Sequence, residues 1–303
     1  MTARFTKPVA LPVAFAMCCA GVALFSVMDA AMKGLSIAIG VYNALFWRAI
    51  AGTIMGMIGM IALRNPWPGR VVLRIHLMRG TVVALMALLF FFGLTKLPMA
   101  EAITLSFIAP LFALYLAALL LKETIGKSAI LASALGLVGV AVILSGRLRG
   151  HYDPQALLGA GAVLLSALLF AWNLILQKQQ AGVASPVEVA FFQHLVMLGL
   201  FSLAAPFLAV VPDPSQVPLV ILAAMLAFTS LMALSWAYAR AEAQRLIPVE
   251  YSAFVWAALM GWLVFGERLT LNTLAGAALI VAGCLIAARR DSAIAPHVET
   301  GTA

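Results

Sequence analysis

The sequence predicts an all-α membrane protein of ten transmembrane helices, built as two five-helix repeats of opposite orientation. Three observations carry this. Of the 303 residues, 64% are hydrophobic and only 10% charged, so a water-soluble domain of this length lacks the polar residues to cover itself. The apolar residues fall into ten runs near the ~20 residues that cross a bilayer as a helix. The pattern is also written twice: Leu119-Leu120-Leu121-Lys122-Glu123-Thr124 answers Leu263-Val264-Phe265-Gly266-Glu267-Arg268, and sixteen residues after each Glu stands a glycine, Gly139 and Gly283.

The first half, 8–146, holds spans over Pro8–Lys33, Val41–Leu63, Val72–Thr95, Pro98–Leu121 and Gly126–Ser145. The second half, 154–288, holds Leu157–Lys178, Pro186–Val211, Val217–Ala239, Leu246–Phe265 and Leu271–Ala288, and a polar tail over 289–303 reads as disordered. Helix one, preceded by Arg4 and Lys7, has the outline of a signal peptide. However, Met28-Asp29 before Ala30 is a poor cleavage site, and Phe25–Lys33 recurs as Phe170–Lys178, so the segment reads as a retained helix. Turn chemistry divides the spans: Asn65-Pro66-Trp67-Pro68-Gly69 after helix two, Gly150-His151-Tyr152-Asp153-Pro154 between the halves, and Pro212-Asp213-Pro214-Ser215 after helix seven.

An offset of 145 brings Phe25 onto Phe170, Lys33 onto Lys178 and Phe46 onto Phe191; an offset of 144 brings Glu123 onto Glu267, Ala132 onto Gly276 and Gly139 onto Gly283. Five spans per half is an odd number, so the second half enters the membrane from the opposite side. Lys and Arg number 13 on the side of the N-terminus and 5 on the other, which predicts cytoplasmic termini and an inner-membrane location.

The net charge of +8 is scattered through short gaps, not gathered into a stripe with interleaved aromatics, which argues against nucleic acid. Cys18, Cys19 and Cys284 lie in apolar runs without nearby His, so no disulfide framework, metal or cofactor is expected. Catalysis in the membrane would need clustered groups, whereas His76 falls in a cytoplasmic gap, His151 outside, His194 in a span and His297 in the tail.

These features resemble the drug/metabolite transporter superfamily, in particular its ten-helix EamA-type members. The resemblance rests on Phe46-Trp47-Arg48, Pro110, Glu123 and Gly139 in half one. In half two it rests on Ala171-Trp172-Asn173, Arg240-Ala241-Glu242-Ala243, Pro248-Val249-Glu250-Tyr251, Gly261-Trp262 through Glu267, and Gly276 with Gly283. Helix one departs from it, reading Phe25-Ser26-Val27-Met28-Asp29 where the family has a Trp-Gly pair. The chain as a whole is also similar to the YddG-type exporters of aromatic and neutral amino acids. The resemblance implies a monomeric, non-enzymatic carrier in the lipid bilayer. Its small-molecule substrate, an amino acid first, would pass by alternating access between helices one to four and six to nine, with helices five and ten packed together at the periphery.

Candidate cavity residues follow. Aromatic walls come from Phe91, Phe107, Trp172, Trp236, Tyr251 and Trp256, with Asn173 and Ser252 as polar neighbours. Each aromatic has the alternative of facing lipid or anchoring at an interface, as Tyr42 and Trp67 do at span ends. Arg48, about seven residues inside helix two, is either a substrate-carboxylate partner or a structural tie within snorkelling reach of the surface. Asp29, Glu101, His194 and Glu250 are candidate gate or relay groups. Against that, Asp29 and Lys33 form an i,i+4 pair that neutralises itself, first-turn acids such as Glu101 and Glu250 suit the helix dipole, and a buried histidine is ordinarily hydrogen-bonded.

Overall fold

The structure is a computed structural model that describes residues 11–109, 111–112, 115–116, 127–148, 154–181, 183–238, 240, 249 and 252–291. Within them lie ten helices: α1 (Leu11–Ile39), α2 (Val41–Ala62), α3 (Arg70–Lys96), α4 (Met99–Ser106), α5 (Lys127–Leu148), α6 (Pro154–Ala181), α7 (Pro186–Ser202), α8 (Val217–Tyr238), α9 (Ala253–Phe265) and α10 (Leu271–Asp291). A further helical turn covers Ala205–Leu208, and no strand occurs among the described residues. Helices α1, α2, α3, α6 and α8 are long and apolar enough to cross a membrane, and shorter apolar stretches lie in α5, α7, α9 and α10.

Helix α2 shows how the pattern folds. Ala49, Gly52, Gly56 and Met60 are buried on one face, while Ile54, Ile58 and Ile61 are exposed on another, at the spacing that stacks side chains along one side of a helix. In a bilayer the exposed stripe meets lipid. The buried stripe packs against α7: a Cβ on Gly52 would lie 2.1 Å from the His194 ring, and one on Gly56 would lie 2.8 Å from the Phe191 Cα. Moving up α2 therefore moves down α7.

The same holds for α5 and α10. A Cβ on Gly139 would lie 2.6 Å from Ile280, while Asn272 Nδ2 donates to Val142 O at 3.3 Å. Each of these helices runs antiparallel to its equivalent in the other half, which is what opposite insertion of the two repeats requires. Mapping α1–α5 onto α6–α10 also turns packed pairs into packed pairs: α1 with α8 becomes α6 with α3, α2 with α8 becomes α7 with α3, and α1 with α9 becomes α6 with α4. Gly139 and Gly276 approach so closely that a Cβ on either would meet the other's carbonyl oxygen at 2.7–2.8 Å. That contact is the small-residue packing by which membrane helices associate.

Several boundaries differ from expectation. Helix α1 continues six residues beyond Lys33 to Ile39, so Asp29 and Lys33 sit inside the bundle rather than at its rim. Helix α4 stops at Ser106; Phe107 N and Ile108 N then bond to the carbonyls three residues back, at 3.1 and 3.3 Å. The sequence has a proline at 110, just beyond, and proline has no N–H to continue a helix. Helix α7 ends at Ser202 rather than Val211, and Pro206 belongs to the separate turn that follows. Helix α10 runs on to Asp291, three residues past the expected end. Most of the rest of helix four, Glu123 and the tail beyond Asp291 lie outside the described residues.

Candidate substrate site

Among the described residues, buried charged and amide side chains gather mainly in three places in a largely apolar interior. The first is the middle of the bundle. Arg48 of α2 is 6% exposed. Its Nη1 has the Met28 sulfur at 3.9 Å, its guanidinium lies 5.9 Å from the Phe91 ring centre, and its Nε has no hydrogen-bond partner. The buried Asp29 and His194 lie near enough for the Arg48 charge to act on both. His194 Nδ1 donates to the Ala190 carbonyl at 2.8 Å, so this histidine is hydrogen-bonded as expected. Gly52 leaves the room its ring occupies.

The second group closes the end of the bundle where α3 finishes. Lys33 Nζ donates to Leu97 O at 2.8 Å and pairs with Glu267 Oε1. Glu267 Oε2 accepts from Met99 N at 2.7 Å. Gly266 makes this possible. It caps α9 in the left-handed region at φ 65°, where glycine carries no Cβ penalty, and turns Glu267 back so that its N–H reaches Gly261 O at 3.0 Å. The expected Asp29–Lys33 neutralisation is thus overturned. Lys33 takes its carboxylate from the other half of the chain, and Asp29 faces Arg48.

The third group closes the opposite end. Arg79, 3% exposed, donates from Nε to Asn173 Oδ1 at 2.9 Å and from Nη1 to Gln180 Oε1 at 2.5 Å. The Gln180 amide lies 2.6 Å from His76 Nδ1, and His76 Nε2 lies 3.0 Å from Glu188 Oε1. One proton assignment satisfies every contact: neutral His76 accepts at Nδ1 and donates from Nε2. Glu188 is set by a capping box with Ser185, whose hydroxyl accepts from Glu188 N. His76 also stacks on Phe192 at 4.6 Å. The network fastens α3 of half one to α6 and α7 of half two.

The sequence reading therefore needs correction at several positions. His76 is not in a gap: it and Arg79 are buried within α3, inside even the expected span from Val72. The signals were present: Ser185-Pro186-Val187-Glu188 is a capping-box pattern, and Arg79 stands nine residues into the helix. Arg48 does not snorkel; it points into the core. Trp172 is 45% exposed, on the outward stripe of α6 with Leu158, Leu165 and Leu168, because its neighbour Asn173 takes the inward position.

Asn173 is inward, as part of the α3–α6–α7 network. Trp236 is half-buried beneath Arg240, whose guanidinium lies 4.2 Å from its ring. Phe91 is buried, Phe107 and Trp256 are half-buried, and Glu101 is buried in the first turn of α4. Ser252 caps α9 with a buried Oγ lacking a hydrogen-bond partner. Glu250 and Tyr251 lie outside the described residues. An apolar cleft of about 450 Å³ opens between Ile108, Phe112, Tyr115, Leu137 and Leu168, and none of the buried charges lines it.

Comparison with known proteins gives one family, three relatives and one solved structure. The EamA-like transporter family matches twice, at residues 12–145 and 157–289. A riboflavin transporter of Rhizobium johnstonii is 30% identical over 287 residues, covering 91% of this chain and 90% of the relative. A pseudopaline exporter of Pseudomonas aeruginosa is 26% identical over 88% of this chain and 92% of its own, and an S-adenosylmethionine uptake transporter of Rickettsia prowazekii is 25% identical over 70% of each. A crystal structure at 22% identity aligns with a TM-score of 0.60 over 92% of this chain and 98% of the other, a likeness of fold alone.

Proposed function

This chain belongs to the EamA-like transporter family and is a multi-pass membrane carrier of small metabolites, and we propose that it exports neutral and aromatic amino acids by alternating access between its two halves. The observation that carries the mechanism is the pair of polar closures. One lies at each end of α3 and each fastens half one to half two: Lys33–Glu267–Met99 at one end, Arg79–Gln180–His76–Glu188 at the other. Between them lies a middle with a fixed cation, an acid and aromatic rings. Loosening one closure while the other holds exposes that middle to one side only. With the termini cytoplasmic, the His76 closure faces the cytoplasm and the Lys33 closure faces outward.

The cargo reading rests on Arg48 against Phe91, with Phe107 and Trp256 as further aromatic wall. In this reading one chain suffices, because both closures join the two halves of a single copy. A second reading has support from the relatives' names: riboflavin as cargo. Counter-flow in proteoliposomes with labelled neutral and aromatic amino acids, and riboflavin alongside, separates the two. Amino-acid flux without riboflavin flux supports the first; riboflavin flux with no amino-acid flux replaces it with the second.

A further inference from the structure

We infer that the closure at the start of α3 is a proton-binding site: a proton taken up by His76 from the cytoplasm turns the Gln180 amide away from Arg79 and loosens α3 from α6 at that end. This deepens the two-closure reading above and rests on it. Gln180 carries one carbonyl oxygen and one NH2 group, and both are committed. Its oxygen accepts from Arg79 Nη1 at 2.5 Å, and its nitrogen donates to His76 Nδ1 at 2.6 Å. On the other side of the ring, His76 Nε2 donates to Glu188 Oε1 at 3.0 Å. The arrangement holds only while Nδ1 has a free lone pair, that is, while the imidazole is neutral. The ring is 1% exposed and lies flat against Phe192 at 4.6 Å, so it is not free to exchange its two nitrogens.

Imidazole is the side chain that ordinarily changes charge near neutral pH. A proton from cytoplasmic water on Nδ1 makes both ring nitrogens donors. The Glu188 bond gains charge and holds α3 to α7 more firmly. The Gln180 NH2 is then opposed by an N–H at 2.6 Å and must rotate to offer its oxygen. Rotation sets the NH2 against Arg79 Nη1, which is also a donor. Arg79 keeps only Asn173 Oδ1, at 2.9 Å. The proton thus moves the fastening of α3 from α6 to α7. Among the described residues the charges facing His76 are Glu188 of α7 and Arg79 of α3; α6 brings the neutral Gln180 and Asn173, and the connection before α3 brings Trp67, edge-on to Phe192. Asp29, Lys33, Arg48 and Glu101 of α1, α2 and α4 belong to the middle and the far end of the bundle, as does His194 of α7. The ring sits at one closure only, so its proton enters and leaves on one side. The site therefore senses cytoplasmic acidity and carries no proton across.

The test is thiol labelling of Ser166→Cys in the full chain, with Cys18, Cys19 and Cys284 replaced by alanine. Ser166 is 3% exposed, donates to Met86 O of α3 at 2.9 Å and lies two turns deeper along α6 than Asn173, so it reports the parting of α3 from α6. Labelling by a water-soluble methanethiosulfonate is divided by the rate with free cysteine at the same pH. From about pH 8 to about pH 5.5 this ratio is expected to rise about fivefold or more, the effect of one buried donor losing its acceptor. His76→Gln should flatten the profile. Gln180→Glu should reverse it, because a carboxylate accepts from Arg79 and from protonated His76 alike, so acid then tightens the tie. A merely structural role would weaken the closure without changing the sign. A flat profile in the otherwise wild-type chain overturns the sensor, as does a profile that still rises in folded Gln180→Glu. Glu267→Gln, which loosens the outer closure, should lower the labelling at every pH. No response to it overturns the alternation itself; a response to it beside a flat pH profile overturns the sensor alone. Should His76→Gln fail to fold, the unaltered closure and Gln180→Glu decide the question.

Discussion

Glu267→Gln probes the closure at the end of α3. Glutamine keeps an oxygen for Met99 N, which Glu267 holds at 2.7 Å, but it places either a neutral oxygen or an NH2 group opposite Lys33 Nζ. Lys33 is buried, so its ammonium is left with the Leu97 carbonyl at 2.8 Å as its remaining acceptor. Removing one partner of a buried pair costs about 3–5 kcal/mol, and the 18% side-chain exposure of Glu267 argues for the lower end of that range. At ~2–4 °C per kcal/mol for a chain of this size, the melting temperature should fall by roughly 6–12 °C. The assay is thermal unfolding of purified protein in detergent, followed by intrinsic tryptophan fluorescence. A double-mutant cycle with Lys33→Met isolates the pair: the double variant should be more stable than Glu267→Gln alone, because it no longer strands a cation. A Glu267→Gln melting point within ~1 °C of wild type, with additive single effects, would refute the argument.

Asn173→Ala leaves Arg79 Nε without its acceptor inside the bundle and should cost about 1–3 kcal/mol; an unaltered melting curve would remove the residue from the closure. Trp172→Leu should leave both folding and flux unchanged, since the indole lies on the outward stripe of α6; a flux defect in folded protein would place it inward after all. Gly276→Val forces a side chain to within 2.7 Å of the Gly139 carbonyl and should destabilise by about 1–3 kcal/mol through separation of α5 from α10; unchanged stability would show that the two helices are not in contact. Gly52→Ala drives a methyl into the His194 ring, 2.1 Å away, and should lower flux more than it lowers stability if the α2–α7 seam moves during transport. Equal flux per folded molecule counts against that movement.

The architecture was legible in the sequence because it depends on quantities the sequence states directly. Apolar run length sets the number of spans, and the Glu123–Glu267 correspondence announces the duplication. Odd parity then demands inversion, which the antiparallel packing of α2 on α7 bears out. The site was less legible, for a definite reason. Helical phase decides which of two neighbours faces inward, and in an almost wholly apolar segment hydrophobicity does not report phase. Trp172 and Asn173 are adjacent, so choosing both for the cavity was bound to fail for one of them. Charge pairing was obscured in a similar way. Asp29 and Lys33 have the spacing of a local pair, but Lys33 takes its counter-charge from Glu267, 234 residues away in the turn after α9.

Helix α3 is a rod about 40 Å long, fastened near its start through His76 and Arg79 and just past its finish through Leu97. A stiff beam pinned at both extremities cannot tilt, and one with a single pin released swings about the other. The linkage between the two membrane faces then needs no relay of side chains through the middle. Under the alternating access proposed above, the backbone of α3 itself is the lever, and its length sets how far a small displacement at one surface is carried to the other.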